Sequence, residues 1–75
     1  MNTHRVYDTF NRRTVSEHRS IIGAVRAAAK FSRAVVRANG SNSYIPTRIE
    51  YSADGEWIAC DPADVQDAEH AAEIR

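Results

Sequence analysis

Five cations, Arg19, Arg26, Lys30, Arg33 and Arg37, recur through one alanine-rich stretch at spacings of seven, four, three and four residues. On a helix turning about 100° per residue they fall within about 60° of arc. From Arg26 to Arg37 they form a ridge about 16 Å long at the helical rise. A guanidinium offers a planar fork to phosphate or carboxylate, so the chemistry available is anion recognition. A helix face that serves only solubility usually mixes signs and gains i,i+4 ion pairs. Here no Asp or Glu occurs between Arg19 and Arg48. The bland reading is a solvated outer face; the uniform sign favours a contact surface. Arg12, Arg13, Tyr44 and Arg48 are secondary candidates for the same surface.

Catalytic chemistry finds less support. His4, His18 and His70 show no metal-ligand spacing with one another or with Cys60. A lone cysteine in a strand-like segment is more often a small core residue than a nucleophile. Asn39-Gly40-Ser41 follows a helix pattern instead of opening one, so it is not a phosphate-binding loop. The chain is expected not to be an enzyme and to need no metal or cofactor. Tyr7, Tyr44, Tyr51 and Trp57 could stack bases beside a basic patch. The competing expectation, and the favoured one, is that Tyr51 and Trp57 complete the core.

The elements that must carry these residues are legible in outline. Residues 4–10 and 13–18 read as strands joined by a tight turn at Asn11-Arg12. Ser20 is placed to cap a helix that runs to Asn39-Gly40. Gly23 costs that helix about 1 kcal/mol relative to alanine, which suggests close approach to a strand. Residues 44–52 read as a strand, with Pro46 confining it to an edge or limiting its pairing to the part after Pro46. Asp54-Gly55 is a hairpin signal, and residues 56–60 form the return strand. Asp61-Pro62 opens a last, acidic helix with a thin apolar face of Val65, Ala68, Ala72 and Ile74. The fold class is therefore α+β. About four antiparallel strands are crossed by one long helix, in the order β-β-α-β-β, and a short C-terminal helix follows. Ile21, Val25, Ala28, Phe31 and Val35 are expected to pack on Val6, Phe10, Ile49 and Ile58.

Seventy-five residues make one domain, read as a core over 1–60 and an acidic helical tail over 61–75. The net charge is zero, yet residues 1–48 hold nine basic side chains against Asp8 and Glu17, an excess of seven. Residues 49–75 hold eight acids against Arg75, the opposite excess. The halves either neutralise each other in the fold or form two faces for different contacts. No apolar run approaches the roughly 20 residues needed to span a bilayer, so no membrane partner is expected. One cysteine cannot make an internal disulfide and suits a reducing compartment.

The strand leading into the Ala- and basic-rich helix Ser20 to Ala38, the segment Thr47-Arg48-Ile49-Glu50, the hairpin after it and Trp57 together resemble small phage-encoded type I anti-CRISPR proteins. The likeness covers residue 13 to about 60; the acidic tail departs from it. The resemblance implies a non-enzymatic inhibitor, cytoplasmic in a bacterial host, that occupies the groove of the Cascade surveillance complex where guide and target pair. It would do so through basic residues that meet a surface meant for nucleic acid. Two alternatives stay open: a small nucleic-acid-binding protein using the same ridge on phosphates, and an accessory protein that meets an acidic protein. Association with a second copy is also open.

Overall fold

The computed structural model describes residues 1–73 and contains, in order, β1 (His4–Asp8), β2 (Arg13–His18), α1 (Ile21–Asn39), β3 (Thr47–Ala53), β4 (Glu56–Ala59) and α2 (Pro62–Ala71). The strands form one antiparallel sheet in the order β2-β1-β3-β4. The fold is α+β, as the sequence pattern leads one to expect. Ile74 and Arg75, the end of the expected tail helix, lie outside the described residues.

Local chemistry sets the boundaries. β1 stops at Asp8 because residues 9–12 form the turn, with Arg12 at φ 56°. Asp8 holds that turn together: its carboxylate accepts from the Phe10 and Asn11 amides at 2.9 and 2.8 Å and from Asn11 Nδ2 at 2.7 Å. Phe10 consequently leaves the strand and is 74% exposed, so it is not the core residue that alternation predicted. β2 carries a bulge: Val6 pairs with Ser16 and Tyr7 with Thr14, leaving Val15 unpaired and packed on the core. That extra residue explains the weak alternation of 13–18.

Ser20 caps α1, its hydroxyl accepting from the Gly23 amide at 3.1 Å. A Cβ at Gly23 would meet Ser20 Oγ at 3.4 Å and the Cβ of His18 at 3.5 Å, ordinary contact distances, so the helix start packs on the end of β2 without an approach that requires glycine. The Gly40 amide closes α1 by donating to the Val36 carbonyl at 2.8 Å. Pro46 acts in the second of the two ways expected: β3 starts immediately after it and lies inside the sheet between β1 and β4. Asp54 and Gly55, at φ 51° and 81°, make the hairpin turn with both central residues left-handed. Asp61 caps α2 by accepting from the Ala63 amide at 2.8 Å.

Alternation along the strands separates two faces. Val6 and Ile49, paired across β1 and β3, point to the helices and form the core with Ala24, Val25 and Ala68. Val25 and Val35 are buried as expected, whereas Ile21, Ala28 and Phe31 are half-buried. Ile58 and Tyr51 face the helical side near the β4 edge and remain 40% and 38% exposed. Neither enters the core cluster. Trp57 faces the other way, opposite Ser52, and so does not complete that core either. Ala68 of α2, by contrast, is 5% exposed in the centre of it. α2, read from the sequence as an acidic helical tail to a 1–60 core, is therefore packed into that core through Ala68.

Two titrating groups make this architecture sensitive to acid. The Asn11 amide, helped by its side chain, by the Phe10 amide and by Arg13, holds the Asp8 carboxyl below its ordinary 3.8 although burial opposes it. Burial alone lowers His4 below its ordinary 6.5. In both cases the unfolded chain takes up protons that the folded chain does not, so acid favours unfolding. Stability is expected to be flat between about pH 6.5 and 9, to fall above that range because burial pushes the Cys60 thiol up from its ordinary 9.0, and to fall in two steps on acidification, first through the His4 window and then below the ordinary Asp8 value. Urea midpoints measured across pH check this. His4→Gln should remove the first step and leave the second; a profile unchanged in that variant would sink the His4 assignment.

Candidate binding face

α1 lays Ala24, Val25 and Val35 against the rest of the protein and turns Arg26, Lys30, Arg33 and Arg37 outward, where all four are exposed. Among the described residues none of the four comes within 4.0 Å of a carboxylate; the ion pairs there belong to Arg5, Arg13 and Arg48. Four cations in about three helical turns thus stand without a partner among the described residues. Arg37, in the last turn, is favoured there by the negative end of the helix. Arg19 does not share their arc. The helix begins at Ile21 after an extended Ser20, and Arg19 belongs to the preceding bend, its carbonyl accepting from Thr3 Oγ1 at 3.0 Å.

The secondary candidates separate. Tyr44, 78% exposed in the α1–β3 loop, borders the same groove as Arg26, Lys30 and Arg33. Arg12 is exposed in the β1–β2 turn, and Arg13, also exposed, lies 3.9 Å from Asp8. Arg48 also borders the groove, but its guanidinium is committed on the sheet face away from the helices: it bonds Glu50 at 2.6 Å and lies 5.6 Å from the centre of the Tyr7 ring.

The groove beside the ridge has a floor of Val25, Ala28, Ile49 and Cys60 and a far wall from α2. α2 presents Gln66 and Glu69 there, and the turn after it adds Glu73. The groove therefore sets two carboxylates of the acidic half, Glu69 and Glu73, beside the basic ridge with no ion pair between them among the described residues, whereas Glu50 of that half does pair, with Arg5 and Arg48. The ridge and these two carboxylates form adjacent stripes of opposite sign.

The far face of the sheet holds a cluster that sequence reasoning missed. Arg5 lies between two rings, 4.5 Å from the centre of Tyr7 and 4.6 Å from that of Trp57. Its guanidinium bonds Glu50 at 2.6 and 2.7 Å and donates to Thr14 Oγ1 at 2.9 Å. Arg48 closes the other side, so Glu50 is 2% exposed although no helix covers it. Both rings are occupied by cations, which leaves them poorly placed to stack bases. The i,i+2 pairs Arg5/Tyr7 and Arg48/Glu50 were visible in the sequence. Their meeting depends on β1 pairing with β3, which no hairpin signal announces.

Cys60 is half-buried, and its thiol is pushed up by burial and by the negative charges of Asp64 and Glu50. That is the reverse of what activates a nucleophilic cysteine. No group of three or more His, Cys, Asp or Glu among the described residues could hold a metal ion, and no described helix is long and apolar enough to cross a membrane. No family model, curated protein or solved structure matches the chain.

Proposed function

We propose that this is a non-enzymatic binding protein that engages an acidic protein surface through Arg26, Lys30, Arg33 and Arg37. The observation that supports it is the unpaired ridge itself, four exposed cations on α1 with no carboxylate in reach among the described residues. Glu69 and Glu73 across the groove favour a protein over a nucleic acid as the partner. A duplex broad enough to cover the ridge would bring its phosphates up against those carboxylates, whereas a protein surface can match both signs. The resemblance to type I anti-CRISPR proteins supplies the first candidate partner, a guide-loaded type I CRISPR effector complex whose target-DNA loading the protein would block.

The test is a double charge reversal, Arg33→Glu with Arg37→Glu. Both side chains are exposed, so the fold should survive, as circular dichroism and the melting curve would report. Reversing charges that meet desolvated acids costs on the order of 2–5 kcal/mol in binding. Inhibition of target loading should be lost in the variant and kept in a Glu56→Gln control, an exposed β4 position outside the groove lining. Equal inhibition by variant and parent would reduce the ridge to a solvated face. A parent that never inhibits, but binds plain duplex with affinity falling steeply with salt, would replace this reading with a nucleic-acid binder.

A further inference from the structure

Outside that reading, the helical side of the molecule is complementary to itself, and we infer that it pairs with a second copy of this chain about a twofold axis. The basic stripe of α1 and an acidic stripe made by Glu69 of α2 and Glu73 in the turn beyond it lie side by side along one groove, Arg26, Lys30 and Arg33 on one wall and the two carboxylates on the other. A twofold rotation about an axis through that groove sets the basic wall of each protomer against the acidic wall of its partner. Every such contact then occurs twice, as in any isologous interface. The net charge of zero removes the overall repulsion that would oppose association. The stripes are free to pair between molecules because they form no ion pair within one, among the described residues. Such a dimer covers the ridge, so self-association and capture of an acidic partner compete for one surface.

The experiment needs no partner. Sedimentation of the purified chain should give twice the 8.4 kDa chain mass at low ionic strength. Raising the salt to about 500 mM should weaken the dimer at least about tenfold. Two variants then test the pairing without fixing its register. Lys30→Glu with Arg33→Glu makes both walls acidic, and Glu69→Lys with Glu73→Lys makes both basic. Each alone should sediment as a monomer, and a mixture of the two should form a heterodimer. A parent that stays monomeric at low salt overturns the inference and leaves the acidic-partner reading standing. So does a parent dimer that both single-sign variants retain, since the contact would then lie elsewhere.

Discussion

Glu50→Ala is expected to destabilise the protein by about 3–5 kcal/mol, the cost typical of removing one member of a buried ionic cluster. A chain of this length has a total stability of roughly 4–11 kcal/mol, so the variant should sit at the edge of folding. The loss comes from what Glu50 leaves behind. The Arg5 side chain is only 17% exposed and takes both of its short carboxylate contacts from Glu50. Without them its charge would be confined between Tyr7 and Trp57 with Thr14 as its remaining hydrogen-bond partner. Arg48→Ala removes the other cation but should cost much less, because that side chain is 49% exposed and water can replace its bond. Replacing Arg5 by Met and Glu50 by Leu together should recover most of the loss, since no buried charge then remains unpaired. Urea midpoints for the three proteins give the order directly. A Glu50→Ala protein within about 1 kcal/mol of the parent would mean that the cluster is screened by solvent as a surface pair is.

That cluster marks the boundary of what the sequence discloses. Local signals placed every element: the cap at Ser20, the left-handed turn at Asp54-Gly55 and the Asp61-Pro62 helix start all act within a few residues. The 3.6-residue period of α1 likewise separated Val25 and Val35 from the exposed cations. What stayed hidden depends on contacts distant in sequence. Phe10 and Ile58 look like strand core by type. One is expelled by the turn that Asp8 organises, and the other lies beyond the reach of the helices near the β4 edge. Trp57 looks like core for the same reason, yet the register against Ser52 sends it to the other face, where Arg5 covers it. The bare cationic ridge could be read from spacing alone. The acidic wall beside it could not, because nothing in the order of residues says where α2 docks.

The docking of α2 carries the second large expectation. Truncation after Asp61 should cost the domain several kcal/mol and broaden or abolish its cooperative melting. Composition argues otherwise, since the segment is acidic and its apolar face narrow. The structure puts Ala68 in the central cluster with Val6, Ala24, Val25 and Ile49, and packs Val65 and Ala72 against it. Burying one valine contributes about 1.5–3 kcal/mol, and each further methyl-sized group somewhat under 1. Removing the helix also returns part of Val25 and Ile49 to water, so the loss approaches half of a total near 4–11 kcal/mol. Ala68→Asp tests the same contact in the full-length chain by placing a carboxylate where no partner waits, and it should unfold the domain to a comparable extent. A control on the exposed side of α2, Asp67→Asn, should leave the melting temperature nearly unchanged. If the truncated chain and Ala68→Asp both melt like the parent, α2 is not part of the core. The acidic stripe would then no longer be held beside the ridge, and the self-complementary face would lose its second half.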